Sequence, residues 1–242
     1  KKLEFNKKHI FHLKKFCKKK KIKFFCSIFS EDDYNFINKI NDDFIKIPSG
    51  EINNFFLLDK INKLRKKIIL STGASSYSEI SKSVNFIRKK IKKPLRKYLC
   101  IMHCVSKYPS AIEDLNLNNI EYLKKKYKID IGFSDHSKSL VTGLYAALLG
   151  AKVIEKHITL NNSMKGPDHK SSLNPKNFKK YVNNIRMADI ILGSKNKIIS
   201  LEEKENKKLI RKSLIAKKII RKGEKFTKRN VTALRPGLGL EP

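Results

Sequence analysis

The chain has 242 residues, 40% of them hydrophobic, and a formal net charge of +33. That length suffices for one sizeable core with a small appendage. The longest apolar stretches, such as LYAALLGA, fall far short of the ~20 residues that a membrane span needs. Four irregularly spaced cysteines do not make a disulfide scaffold, so we expect a cytoplasmic protein.

The charge comes from lysine, which is scattered over every segment together with abundant Asn and Ile. Dense lysine is typical of polyanion binders, but here no aromatic residues interleave with it in a stacking pattern. Lys, Asn and Ile all have A/T-rich codons. We therefore favour codon usage over specific nucleic-acid binding, and keep a polybasic nucleic-acid-binding protein as the alternative from a different class.

In chain order, helical and strand periodicity alternate as far as Gly193. A helix is predicted in EFNKKHIFHLKKFCKK, and later helices include EDDYNFINKI, whose acidic start suits a first turn. Ser76 and Glu79 have capping-box spacing at the start of another, and LVTGLYAALLGA closes at Gly150. Six strands are predicted between the helices: IKFFCSIFS, FIKIPSGE, KIILSTGAS, YLCIMHCVSKYP, IDIGFSDH and KVIEKHITL.

This alternation fits either a parallel barrel or an open doubly wound sheet. No GxGxxG fingerprint follows a strand, which disfavours a dinucleotide-binding sheet. Polar residues end every predicted strand, where a (β/α)8 barrel builds its site. We therefore predict an α/β fold, a (β/α)8 TIM barrel with about six strands present, and expect its first two strands upstream of Lys1.

The pattern changes after Gly193. Residues 1–194 are assigned to the barrel, 195–212 to a charged linker, and 213–242 to the start of a small β-rich domain. The last assignment follows from short alternating segments with Gly and Pro turns.

Two histidines, His136 and His157, end consecutive predicted strands. Neighbouring strands lie ~5 Å apart, so both imidazoles could reach one cation. Two His ligands with open positions suit a divalent metal such as Mn or Zn, although a single strand-end His is usually only hydrogen-bonded. In CIMHC, His103 is expected to be such a buried, hydrogen-bonded residue.

Hydroxyl groups recur at the other predicted strand ends, beside a lysine inside a strand. Each Ser alone would be an ordinary turn residue, but several at one barrel mouth suggest a cage for phosphate. Lys46, on the parity of Phe44, must point at something anionic if its strand is buried. The predicted cage consists of Ser27, Ser49, Ser71, Ser106 and Ser134.

Two carboxylates are candidates for proton transfer. Glu51 follows a strand-end turn, and Glu155 shares a strand face with His157. Either could instead be a solvated acid, and we favour Glu51 because it lies at a strand end. Asp168, in the loop GPDHKSS, could bind sugar hydroxyls.

Together these stretches resemble the sialic acid synthase family. The resemblance rests on motifs in family order over nearly the whole chain: FIKIPSGEINN, IILSTGASS, HCVSKYPS, IGFSDHS, IEKHITL, KGPDHKSSLNP and AKKIIRKGEKFTKRNVTALRPGLG. It implies a barrel joined to an antifreeze-like (SAF) domain, here truncated. It also implies condensation of phosphoenolpyruvate with an N-acetylated hexose, with Mn or Mg as cofactor. The product would be a nine-carbon 2-keto acid.

Residue by residue, the resemblance makes His136 and His157 the metal ligands. It implies that Tyr108, Asp168 and Glu51 face the sugar, and that Arg235 reaches the N-acetyl group in a domain-swapped homodimer. Phosphoenolpyruvate would be held by Ser27, Lys46, Ser49, Ser71, Ser106 and Ser134.

Two departures and several alternatives accompany the resemblance. Ile28 stands in SIFS where the family usually has a Pro, and we expect the family's first two strands to lie upstream of Lys1. The sugar could be N-acetylmannosamine, or a diacetamido sugar leading to legionaminic or pseudaminic acid. A degenerate, non-catalytic barrel is disfavoured by the presence of Lys46, Glu51, His136 and His157.

Overall fold

The computed structural model describes residues 5–31, 33–40, 43–64, 66–91 and 94–242. The chain divides into two compact units, Lys1–Leu192 and Gly193–Pro242. Within the described ranges, no helix combines the length and apolar character needed to cross a membrane.

The first unit alternates helices with short, buried strands. Its strands are β1 (Phe44–Ile47), β2 (Lys67–Ser71), β3 (Leu99–Cys104), β4 (Asp130–Asp135) and β5 (Val153–Lys156). Its helices are α1 (Lys7–Lys19), α2 (Tyr34–Ile40), α3 (Phe55–Asn62), α4 (Tyr77–Lys90), α5 (Asn118–Tyr127), α6 (Thr142–Leu148) and α7 (Pro175–Leu192). The predicted capping box is formed, since Ser76 and Glu79 satisfy each other's backbone N–H at the start of α4.

All five strands are parallel and follow one another in the sheet in chain order. An open doubly wound sheet would reverse that order at a switch point, whereas a barrel does not. The sheet is a curled half-barrel of the TIM type. Aliphatic side chains on its outer face pack under the helices, and a small cluster of Ile69, Cys100 and Met102 fills the inner face.

The predicted strand IKFFCSIFS is reduced to one bridge between Ser27 and Lys46, so the prediction of six full strands is wrong for the described residues. Ile28 is fully buried and its N–H donates to the Lys46 carbonyl. Phe25 and Phe29 are exposed. The segment buries mainly one side.

The acidic residues before α2 precede the helix instead of forming its first turn. Glu31 and Asp33 accept hydrogen bonds through their carbonyls, from the N–H groups of Tyr34 and Ile37. Asp32 lies outside the described residues. α6 does close as predicted, with Gly150 in the left-handed conformation at φ 92°.

The second unit contains helix α8 (Leu201–Ile210) and the antiparallel strands β6 (Ser213–Ala216) and β7 (Val231–Leu234). The segment that we expected to be a linker therefore contains a helix. Its start is a capping box formed by Ser200 and Glu203. Arg235 is exposed directly after β7.

Candidate active site

The carboxyl ends of β1, β2, β4 and β5 bring a lysine, two hydroxyls, a carboxylate and an imidazole into direct contact. We call Lys46, Ser71, Ser134, Glu155 and His136 the inner-face cluster. Lys46 Nζ donates to Ser71 Oγ at 2.8 Å and lies 3.5 Å from Glu155 Oε2. The lysine side chain is only 8% exposed, so its charge is held in place by these partners.

Ser134 lies between the carboxylate and the imidazole. Its Oγ lies 2.6 Å from Glu155 Oε1, and because a carboxylate only accepts, the hydroxyl proton is donated there. On the other side, His136 Nε2 lies 3.2 Å from Ser134 Oγ. Ser134 and Glu155 are register partners in β4 and β5, which explains why they meet on one face.

His136 is held in one tautomer by the backbone. Its Nδ1 lies 2.6 Å from the carbonyl oxygen of Val105, which can only accept, so the Nδ1 atom carries the proton. Burial lowers the pKa of the His136 ring, and the Val105 carbonyl opposes this less strongly. A neutral ring in this tautomer turns the Nε2 lone pair towards the cluster.

His157 lies beside His136, with ring centroids 5.6 Å apart and planes at 76°. Tyr108 packs over both rings, at 4.1 Å from His136 and 5.5 Å from His157. Asp168 Oδ2 is 3.8 Å from His157 Nδ1. Burial, followed by the charges of Cys104, Asp168 and Glu155, raises the pKa of Tyr108, so its hydroxyl stays protonated.

A second group of small polar atoms surrounds Gly73, directly after β2. We call Ser49, Gly73, Cys104 and Ser106 the glycine cradle. Ser49 Oγ accepts from the Gly73 N–H at 2.9 Å. A Cβ on Gly73 would lie 2.1 Å from Ser106 Oγ and 2.9 Å from Ser49 Oγ, so only glycine leaves room between the hydroxyls.

Three predicted site residues lie apart from these contacts. Among the described hydrogen bonds, Glu51 accepts from Asn54 in its own turn, at 2.8 Å, and has none to the inner-face cluster. Ser27 is half-buried and adjoins Lys46 through the backbone bridge. Arg235 belongs to the second unit.

His103 is buried, as expected, with Nε2 at 2.7 Å from the Leu115 carbonyl. Sequence reasoning missed Gly73, although STGAS after a strand was a signal for close backbone approach. It also left Asp135 without a role and overlooked Lys156. These two form an ion pair of 3.0 Å on the opposite face of the same strand ends.

His136 and His157, with ring centroids 5.6 Å apart, are the side chains that could contribute ligands to a metal ion. Among the described residues, no group of three His, Cys, Asp or Glu side chains is arranged to hold a metal ion. A pair of His ligands would leave the other coordination positions to water and substrate oxygen atoms. The Nδ1–carbonyl bond of His136 is the outer contact that a ligating imidazole usually has.

A parallel half-barrel with acid–base, hydroxyl and imidazole groups at its strand ends defines the class of TIM-type barrel enzymes. Residues 1–197 match the NeuB family model, and the chain belongs to the NeuB family. It is 41% identical over 238 residues to an N,N'-diacetyllegionaminic acid synthase of Campylobacter jejuni, covering 98% of this chain and 70% of that protein.

Two further proteins to which this chain is similar are also named as synthases of sugar acids. A pseudaminic acid synthase of Campylobacter jejuni is 38% identical over 219 residues, which cover 90% of this chain and 62% of that protein. The crystal structure of an N-acetylneuraminic acid synthetase from Leptospira borgpetersenii, in complex with citrate, superposes with a TM-score of 0.76. It is 37% identical and covers 84% of this chain and 70% of that chain.

Proposed function

We propose that this protein condenses phosphoenolpyruvate with an N-acetylated hexose, giving a nine-carbon 2-keto sugar acid and inorganic phosphate. The observation that carries the proposal is the inner-face cluster, in which buried Lys46 contacts the Ser71 hydroxyl and the Glu155 carboxylate, with the Ser134 hydroxyl bonded to the same carboxylate. The named functions of the synthase relatives support it.

Lys46 and the serines suit a small trianionic substrate. The ammonium of Lys46 would pair with a carboxylate or phosphate oxygen, supported by the hydroxyls of Ser71 and Ser134. The glycine cradle offers two more hydroxyls at a place without side-chain bulk, which suits the second anionic group. Ser27 remains a weaker candidate because it reaches Lys46 through the backbone.

His136 and His157 would hold a divalent cation, Mn or Mg, with Nε2 of His136 as one ligand atom. Such a cation, when bound, polarises the sugar aldehyde as a Lewis acid. Tyr108 covers both imidazoles, and Asp168 lies beside His157, so both suit the sugar side of the site.

The reaction consumes one water molecule in addition to the two substrates. The methylene carbon of phosphoenolpyruvate bonds to the aldehyde carbon, and the aldehyde oxygen takes up a proton to become a hydroxyl. Water adds to the carbon that carries phosphate and loses a proton, and the tetrahedral intermediate releases phosphate to leave the ketone. Glu155 is the carboxylate in contact with the cluster, so we propose it for proton transfer, and Glu51 is the second candidate.

The sugar is either N-acetylmannosamine or a diacetamido sugar. The similarity to the legionaminic acid synthase, which spans 98% of this chain, favours testing the diacetamido sugars alongside N-acetylmannosamine. Arg235 is proposed to contact the N-acetyl group of a partner's substrate in a domain-swapped homodimer. Size-exclusion chromatography with light scattering would test that assembly.

The test is phosphate release from phosphoenolpyruvate with Mn and each candidate sugar. We expect release with one sugar class and its loss in His136→Ala, which removes a proposed ligand. The matched control is His103→Gln, because His103 is a buried imidazole outside the inner-face cluster. Absence of release with every sugar would refute the synthase proposal.

A further inference from the structure

The outer face of the β4 and β5 ends contains a buried ion pair that the proposed reaction does not use. Asp135 and Lys156 are the last residues of their strands and are register partners. Lys156 Nζ lies 3.0 Å from Asp135 Oδ2, with side chains 2% and 0% exposed. Successive residues of a strand alternate faces, so the pair points away from Ser134 and Glu155.

Every hydrogen-bonding position of the Asp135 carboxylate is used. Oδ1 accepts from the N–H and the hydroxyl of Ser137, at 2.8 and 2.7 Å. Oδ2 accepts from Thr142 Oγ1 at 2.5 Å and Tyr181 Oη at 2.8 Å, besides Lys156. The donors come from the loop after β4, from α6, from α7 and, through Lys156, from β5. One carboxylate at the end of β4 is therefore bonded to three further elements of the half-barrel.

Lys156 is held equally firmly. Its Nζ also donates to the Ser137 carbonyl and lies 5.1 Å from the centroid of the Tyr181 ring. Tyr181 is 1% exposed and leaves no room beside Gly143, where a Cβ would lie 2.5 Å from Oη. The geometry of this network therefore has little freedom.

Stability alone does not explain such a pair, because apolar replacements of buried ion pairs are often neutral or stabilising. Its position in the chain offers another reason. His136 directly follows Asp135, and His157 directly follows Lys156. Whatever fixes the two strand ends against each other also fixes the two imidazoles.

We propose that Asp135 and Lys156 are positioning residues, which set the separation and orientation of His136 and His157 for metal binding. This inference rests on the metal role of the two histidines in the proposed function. The pair ties the strand ends to each other and, through Thr142 and Tyr181, to the two helices behind them. The hydrogen bonds and ion pairs described for the two side chains include none to the inner-face cluster.

The experiment measures Mn binding by electron paramagnetic resonance in the purified protein, independently of turnover. The double variant Asp135→Asn with Lys156→Met removes both charges and preserves the approximate side-chain volumes. Mutations of residues that orient metal ligands typically weaken metal affinity about 10- to 100-fold. We expect at least a tenfold rise in Kd and a changed line shape of the bound Mn signal.

A matched control lies at the other end of the sheet. Lys67 and Asp130 are the first residues of β2 and β4, and Lys67 Nζ lies 2.9 Å from Asp130 Oδ2. The variant Lys67→Met with Asp130→Asn also removes one ion pair between strands, but far along β4 from His136. We expect its Kd for Mn to stay within about twofold of the unmodified protein.

If the double variant at Asp135 and Lys156 does not fold, Tyr181→Phe provides a milder test. It removes one hydrogen bond to Asp135 and keeps the ring, and we expect a two- to threefold rise in the Kd for Mn. An unchanged Kd in this variant would count against the inference.

The outcomes separate the inference from the proposed function. Weaker Mn binding in the Asp135 and Lys156 variant, with unchanged binding in the Lys67 and Asp130 control, supports the positioning role. Unchanged binding there, while His136→Ala loses Mn, overturns the inference and leaves the metal site intact. Equal weakening in the Lys67 and Asp130 control also overturns it. If the unmodified protein binds no Mn, or His136→Ala binds it normally, the metal site itself is refuted.

Discussion

Two lysine–carboxylate pairs lie on opposite faces of the same strand ends. On the inner face, Lys46 and Glu155 are 3.5 Å apart, and the Glu155 side chain is 41% exposed. On the outer face, Lys156 and Asp135 are 3.0 Å apart and almost completely buried. The inner carboxylate is open to the barrel mouth, whereas the outer one is saturated by donors from the protein.

This difference distinguishes a proposed binding site from the framework that supports it. A lysine with a long, partly solvated contact to its carboxylate can exchange that partner for an anionic substrate. A pair whose hydrogen bonds are all made inside the protein has no free position for a ligand. Removing it lowers the stability of the fold. The following predictions test whether the two pairs really differ in this way.

The largest effect is expected for Asp135→Asn, which leaves the Lys156 ammonium without its counter-charge. Breaking a buried ion pair by removing one partner costs about 3–5 kcal/mol of unfolding free energy. Urea denaturation followed by circular dichroism would measure it. A loss below about 1 kcal/mol would place the outer pair in the same class as surface ion pairs.

The next effect is expected for Lys46→Met on the inner face. Hydrogen bonds to charged groups contribute about 1.5–3 kcal/mol, so kcat/KM for phosphoenolpyruvate should fall about 10- to 100-fold. The unfolding free energy should change by less than about 1 kcal/mol, because Glu155 can be solvated. A stability loss as large as that of Asp135→Asn would contradict the distinction between the pairs.

A smaller effect is expected for Gly73→Ala in the glycine cradle. The added methyl would displace the hydroxyls of Ser49 and Ser106, so KM for phosphoenolpyruvate should rise about tenfold. This rise corresponds to a loss of ~1.4 kcal/mol of binding free energy. Gly50→Ala is the matched control, since a Cβ there meets nothing within 4 Å. Steady-state kinetics with varied phosphoenolpyruvate would compare the two, and equal KM values would remove the cradle from the site.

The smallest effect is expected for Lys67→Met at the amino ends of the strands. Its side chain is 30% exposed, and that of its partner Asp130 is 38% exposed. An exposed pair contributes about 0–1 kcal/mol, so the unfolding free energy should change within that range, with kcat and KM unaltered. Altered catalytic constants would show that ion pairs at both ends of the sheet influence the site.

The order of strands and the strand-end histidines followed from the sequence, because periodicity and position after an apolar run are local signals. The position of Lys46 on the inner face followed from its parity inside β1. Asp135 and Lys156 could not be assigned in the same way, since their surroundings depend on helices up to 46 residues away in the chain. Burial of those charges is decided by tertiary packing.

Two other differences concern short segments. IKFFCSIFS has strand composition, but it pairs with β1 through a single bridge. Helix α8 was missed because LEEKENKKLI is mostly charged, which is also typical of an exposed linker. The Ser200 and Glu203 spacing was the signal that would have located its start.

We propose that the inner face of the strand ends binds phosphoenolpyruvate. A crystal structure of the protein with phosphoenolpyruvate and Mn tests it most directly. We predict an anionic group within hydrogen-bonding distance of Lys46 Nζ, the phosphate or carboxylate between Ser49 and Ser106, and Mn on His136 Nε2 and His157. Phosphoenolpyruvate bound elsewhere, with Lys46 still paired to Glu155, would show that the inner face is not the substrate site.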